Sequence, residues 1–201
     1  RGLPCFTPDM ILEGGSIEVN GQGTLITTES CLLNPNRNPA LDRAAIEQRL
    51  SDYLGVRKVL WLGEGITGDD TDGHVDDLTR FVDAQTVVTA VEPDSQHPNH
   101  PPLQVNLQRL QAMCTQDGDS LRVIELPMPK PVLDQGERLP ASYANFYIGN
   151  RTVLMPAFGQ SRDADAQAIL QQCFPSRRVL PLDSTNLIRG LGSFHCLAQQ
   201  E

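Results

Sequence analysis

Two β-branched segments, a helical segment and a further strand follow one another in the same order three times along this chain. The helices begin at intervals of roughly sixty residues. In the first round, "GSIEV" and "GTLITTESCLL" flank the turn signal Asn20-Gly21 as a hairpin. The segment 41–55 follows as a helix with Ala44, Ile46, Leu50 and Leu54 as its apolar stripe and Gly55 at the C-cap position. "KVLWL" closes the round as a buried strand. The second round runs from "LTRFVD" and "QTVVTAV" through the helix "LQVNLQRLQAMCTQ" to "LRVIELP". The third runs from a hairpin around Gly149-Asn150 through "ADAQAILQQCF" to "RVLPL". The spacing predicts an α/β fold of ββαβ units over roughly 10–65, 74–128 and 141–183, with 188–201 opening or closing another. Such units can close radially around an axis, as propeller blades do. Three units and a fraction are too few for a ring, so the chain is expected to be the later part of a longer one.

Composition narrows the partners. The 201 residues include 16 Lys and Arg against 25 Asp and Glu, a formal charge of -9. Nucleic-acid binding needs clustered cations and is not expected, whereas a small cationic ligand suits an acidic surface. The chain lacks both an apolar run long enough to span a membrane and a charged-then-apolar leader at its start, so a cytoplasmic protein without membrane contact is expected. Five scattered cysteines without a C-x-x-C pair read as free thiols in a reducing compartment.

Three short stretches carry the chemistry. "GDDTDGHVDD" gathers five aspartates around His74. Aligned to a calcium loop, it places Gly68 first and Thr79 twelfth, where oxygen ligands and a Glu are required, so that reading fails. A metal held by His74 and Asp76 lacks a second histidine pair nearby, and neither metal nor cofactor is expected. Read as the start of a strand, "HVDD" puts His74 and Asp76 on one side, while Asp69, Asp70 and Asp72 form a solvated acidic turn.

In "GLGSFHC", two glycines precede Cys196, which singles it out among the five thiols. If this stretch is a strand, His195 points away from the thiol, and His74 is the better partner. In "LEGGSIEVNG", Glu13 enters the first hairpin at the position His74 and Cys196 hold in later units. Convergence at the axis would collect Glu13, His74, Asp76 and Cys196 in one pocket. His97 and His100, in the Pro-rich "PDSQHPNHPP", read as surface loop.

The blocks "LEGGSIEVNGQGTLITTESCLLNPNRNP", "TDGHVDDLTRFV", "ASYANFYIGN" and "GLGSFHCLAQQ", in this order, resemble the agmatine deiminase family of guanidine-modifying enzymes. The resemblance implies a five-bladed α/β propeller (pentein), with about three of its blades in this chain. It implies Cys196 as nucleophile, His74 as general acid/base and Glu13 as the supporting acid. Asp76 would bind the guanidinium, and Gly14 and Gly192 would line the substrate. A second guanidinium-binding aspartate of the family has no match here.

The implied reaction converts agmatine to N-carbamoylputrescine and ammonia through a cysteine thiouronium adduct, in an enzyme that is often a homodimer. Peptidylarginine or arginine deimination is the alternative, as is an inert fragment. Free arginine would call for a cation facing its carboxylate, for which Arg80, Arg151 and Arg189 are candidates.

Overall fold

A computed structural model describes residues 4–198. The last three residues of the stretch expected to open a further unit, 199–201, lie outside the described residues.

The first unit contains β1 (Glu18–Val19), β2 (Thr24–Thr28), a single turn α1 (Glu29–Leu32), α2 (Arg43–Leu54) and β3 (Lys58–Leu62). Asp42 accepts a hydrogen bond from Ala45 N and starts α2; Gly55, at φ 68°, ends it in the left-handed region that a side chain would disfavour. The buried stripe of α2 is narrower than the sequence suggests. Ile46 and Leu50 are buried, whereas Ala44 and Leu54 are exposed.

The second unit contains β4 (Thr79–Phe81), β5 (Thr86–Val91), α3 (His100–Ala112) and β6 (Arg122–Pro127). Here only the end of the Pro-rich segment, from His100, leaves the loop, while His97 stays in it. Pro101 and Pro102 occupy the first turn of α3, where a missing N–H costs nothing, so the helix begins earlier than its apolar pattern. His100 is therefore helical and pairs through Nδ1 with Glu92 O at 2.6 Å, and His97 Nε2 lies 2.7 Å from Arg138.

A small hairpin, β7 (Leu133–Asp134) and β8 (Glu137–Arg138), precedes the third unit. That unit contains β9 (Tyr147–Ile148), β10 (Thr152–Ala157), α4 (Arg162–Cys173) and β11 (Arg178–Asp183).

All three three-stranded sheets have one topology. The middle strand pairs antiparallel with the strand before it and parallel with the strand after the helix. Side chains alternate across each middle strand. Leu25 faces Ile46, Leu50 and Trp61, while its neighbour Ile26 joins Leu62, Val87 and Leu110. Val87 belongs to that second cluster and Val88 to a third, with Val153, Met155 and Leu170. Each of α3 and α4 is thus wedged between its own sheet and the preceding one. Burying each such aliphatic side chain stabilises the stack by about 1.5–3 kcal/mol. These are three successive blades of an α/β propeller.

One buried cation ties the three blades together. Arg80 of β4 donates from Nε to Glu18 Oε2 of β1 at 2.7 Å, and from Nη1 to Phe146 O at 2.8 Å and Ala144 O at 3.2 Å beside β9. Glu18 Oε1 accepts from Phe81 N at 2.9 Å, so both carboxylate oxygens are engaged.

Candidate active site

Each blade sends the segment that enters its first strand to one common place. Glu13 and Gly15 precede β1, His74–Asp77 precede β4, and Ser142–Asn145 precede β9. The segment 193–196 joins them. Two of these entries are tight 3-10 turns, Gly14–Ser16 and Val75–Asp77. The expected strand start at "HVDD" is therefore corrected. Leu78 N bonds back to Val75 O at 2.9 Å, and the strand begins only at Thr79.

His74 and Asp76 nevertheless flank one point. A Cβ placed on Gly15 would fall 2.6 Å from His74 Nδ1 and 3.0 Å from Asp76 Oδ2. Gly15 is the glycine of close approach, whereas Gly14 meets nothing within 4 Å. Gly192 is pressed against the thiol: a Cβ there would lie 2.6 Å from Cys196 Cβ and 3.1 Å from its Sγ.

The stretch around Cys196 is a run of turns, not a strand, with Leu197 N on Ser193 O and Ala198 N on His195 O. Alternation of faces therefore does not apply, and His195 does not look away from the site. His195 Nδ1 lies 2.7 Å and Cys196 Sγ 3.3 Å from the same oxygen, Asp76 Oδ2.

Asn145 completes the arrangement. Its Nδ2 donates to Cys196 Sγ at 3.0 Å and to Asp76 Oδ2 at 3.2 Å. Its Oδ1 accepts from the amides of Ser193, His195 and Cys196. The sequence reading gave Asn145 no role, although it holds the strand-entry position of the third blade.

The acidic turn is built, not merely solvated. Asp69 accepts from the amides of Thr71, Gly73 and His74 and so shapes the approach to the histidine. Asp72, at φ 62°, accepts from Arg37 Nη1 at 2.8 Å. Of these three only Asp70 is exposed. Arg37, also unremarked in the sequence, donates from Nε to both oxygens of Glu13 at 2.9 and 3.0 Å and from Nη2 to Thr71 O at 2.7 Å. It fixes Glu13, whose Oε1 lies 3.9 Å from His74 Nε2.

Two neighbouring carboxyls are driven apart in acidity. Burial works to raise Asp76, but the hydrogen bond and charge of His195, with Arg80 behind, outweigh it and hold Asp76 below the ordinary carboxylate value. Burial and then the charge of Asp76 push Asp77 well above that value. Burial of its sulfur, followed by the charges of Asp76 and Asp77, pushes the Cys196 thiol up to about 12. As a residue Cys196 is exposed, but Gly192, Asn145 and Asp76 enclose the sulfur itself.

Buried polar atoms normally find partners. Five buried side-chain polar atoms among the described residues have none, and four of them are His74 Nε2, Asp76 Oδ1, Asp77 Oδ1 and Ser193 Oγ. The unmet side-chain hydrogen-bonding capacity of the described residues is concentrated at this site. Two groups could hold a cation, Glu13 with Cys31 and His74, and Asp76 with Asp77 and Cys196.

The arginines considered for a substrate carboxylate are elsewhere. Arg80 is consumed by Glu18 and two carbonyls, Arg189 lies 3.3 Å from Asp134, and Arg151 is exposed in the β9–β10 turn. Surface cavities of ≈ 450 and ≈ 530 Å³, beside the β1–β2 turn and between α1 and α3, contain none of the site residues. No helix among the described residues is long and apolar enough to cross a membrane.

Blades of this topology, with a cysteine, a histidine and paired carboxyls gathered where their first strands begin, define the pentein class. The chain belongs to the Porphyromonas-type peptidyl-arginine deiminase family, whose profile matches residues 1–201. Agmatine deiminase of Ectopseudomonas mendocina is 41% identical over 213 residues, covering 97% of this chain and 58% of that protein.

Among solved structures, an agmatine deiminase of Enterococcus faecalis superposes with a TM-score of 0.93 at 39% identity, covering 97% of this chain and 58% of that one. A substrate-bound agmatine deiminase of C. jejuni gives 0.89 at 35% identity, covering 96% and 56%. The chain spans about 57% of the length of the curated relatives it matches.

Proposed function

We propose that this chain supplies the thiol, imidazole and carboxylate side of a guanidine-deiminating site, and that the whole protein acts on agmatine. One observation carries the reading. Asp76 and Asp77, each with a partnerless buried oxygen, lie beside a thiol that already touches Asp76, and His74, whose Nε2 is also partnerless, meets Asp76 across Gly15. A planar cation with several N–H donors is the guest such a set of acceptors fits.

The chemistry follows from the charges. A guanidinium carbon resists attack because its charge is shared by three nitrogens, and a covalent intermediate divides the reaction into two substitutions. The carboxylate charge that keeps the Cys196 thiol protonated is the charge a bound guanidinium would cancel, so the substrate itself favours the thiolate. As Cys196 attacks the carbon, its thiol proton passes to His74, which delivers it to the departing nitrogen, released as ammonia. Water deprotonated by His74 attacks the thiouronium carbon, expels the thiolate and leaves N-carbamoylputrescine. Asp76 fixes the carbon against sulfur through paired N–H contacts. Glu13, held by Arg37 at 3.9 Å from His74 Nε2, supports the protonated imidazole through its charge.

The names of the relatives support agmatine, and the engaged state of Arg80 supports a substrate without a carboxylate. The description of the family favours peptidyl-arginine as a second substrate class. Ureido product from agmatine and citrulline from arginyl peptides are to be measured side by side on the protein and on Cys196→Ser. Ureido formation from agmatine that disappears in the variant supports the proposal. Undiminished turnover in Cys196→Ser, or product from peptides alone, overturns it.

A further inference from the structure

Cys31 takes no part in the chemistry above, yet it shares a pocket with two groups that do. Its sulfur, a Glu13 carboxylate oxygen and a ring nitrogen of His74 all lie within 4.8 Å of one another. Cys31 is fully buried in the single turn α1 that follows β2, and His74 is 8% exposed, with an Nε2 that has no hydrogen-bond partner. That nitrogen lies 3.9 Å from Glu13 Oε1, too far for a hydrogen bond. A thiol, an imidazole and a carboxylate at such separations are the donor set of a tetrahedral zinc ion, whose ligands stand about 3.5 Å apart. The groups need to close by only about an ångström to enclose one.

We propose that Glu13, Cys31 and His74 form an inhibitory site for a thiophilic divalent cation of the zinc class. Glu13, half-exposed, is the side from which the ion enters. Binding exchanges a proton for the metal: the Cys31 S–H loses its proton to water, and a sulfur–metal bond replaces it. Burial first, and then the charges of Glu13, Asp69 and Asp72, oppose an anionic sulfur here, with Arg37 acting the other way. A dication offsets those charges. Arg37 contacts both Glu13 oxygens, but each retains a further lone pair. Once His74 Nε2 is ligated it can neither give nor take a proton. The inhibitory consequence rests on the proposed role of His74, whereas the binding itself does not.

Cobalt(II) tests the site directly, because a thiolate ligand produces a charge-transfer band in the near ultraviolet. The protein is titrated with Co²⁺ alone, and Zn²⁺ is then added. The site predicts a band saturating at one equivalent, abolished by Zn²⁺, absent in Cys31→Ser and retained in Cys196→Ser. His74→Gln is expected to weaken binding by about 100-fold, since it removes a direct ligand and outer-shell losses already reach that range.

A band lost in Cys196→Ser and kept in Cys31→Ser, or no band in the wild-type protein, overturns the proposal. Cys31→Ala, checked by circular dichroism, guards against misfolding of the serine variant; a folded alanine variant that keeps the band also overturns it. In a turnover assay, Zn²⁺ should inhibit the wild-type protein, while Cys31→Ser remains active and resists. Because the cobalt readout needs no turnover, a failed deiminase assay leaves this test standing.

Discussion

The side-chain amide of Asn145 donates to the sulfur of Cys196 at 3.0 Å, while its carbonyl oxygen gathers the amides of Ser193, His195 and Cys196. One side chain therefore both orients the thiol and shapes the turn that carries it. Replacing Asn145 with Ala should slow deimination by about 10- to 100-fold and destabilise the fold by roughly 1–3 kcal/mol, as loss of buried partners does. Asn145→Asp retains the acceptor but adds a third carboxylate beside the sulfur. It should react with iodoacetamide more slowly than the alanine variant at neutral pH, which mass spectrometry of the Cys196 peptide would measure.

The Cys196 thiol, pushed up to about 12, stays protonated through neutral pH in the ligand-free protein. Its alkylation should be slow at pH 7 and accelerate steadily into the alkaline range. A non-reacting amidinium salt should move that rise to lower pH. A plateau near pH 7 without any ligand would contradict the charge argument.

Asp77 offers a thermodynamic check. Its carboxyl is raised well above the unfolded value, so the folded state keeps a proton that the unfolded chain releases above about pH 4. The stability this contributes is present below that pH and is lost as pH rises toward the folded value. Asp77→Asn has no such loss. Its melting temperature relative to wild type should therefore climb as pH rises above about 4, as differential scanning calorimetry would record.

Gly15 and Gly14 make a paired control. An added methyl at Gly15 strikes His74 Nδ1 and Asp76 Oδ2, whereas at Gly14 it enters open space. Gly15→Ala should destabilise by about 1–3 kcal/mol through overpacking and cut turnover at least tenfold. Gly14→Ala should be close to wild type in both assays.

Arg80 anchors three blades from a buried position, and Glu18 is its only carboxylate partner among the described contacts. Leaving a buried charge unpaired costs about 3–5 kcal/mol, so Glu18→Gln should lower the unfolding free energy by that amount. Arg80→Met removes the cation but abandons Glu18, and should be comparably damaging. Urea titration of both variants tests the pair.

Local signals in the sequence determine most of the fold. Asn20-Gly21, Gly55 and the β-branched runs each act within a few residues, and the hairpins, α2 and all three closing strands follow from them. The site is legible only in part. Glu13, His74, Asp76 and Cys196 stand out by type and by their recurring place before a strand. Their precise directions do not, because alternation of faces holds for extended backbone and fails in the turns at Val75–Asp77 and 194–197. Arg37 and Asn145 escaped notice for a different reason. Each acts through partners 24 to 69 positions away, and nothing beside them in the chain announces those partners.

The Asp76 oxygen that contacts Asn145, His195 and Cys196 has a consequence for recognition. Before any guest arrives, the protein's own donors already occupy this acceptor. Entry of a cation is then an exchange of one set of contacts for another, with little net gain from a single good contact. Only a molecule that presents several N–H groups in one plane can repay every bond it displaces, so this rivalry at Asp76 would itself screen out simple amines.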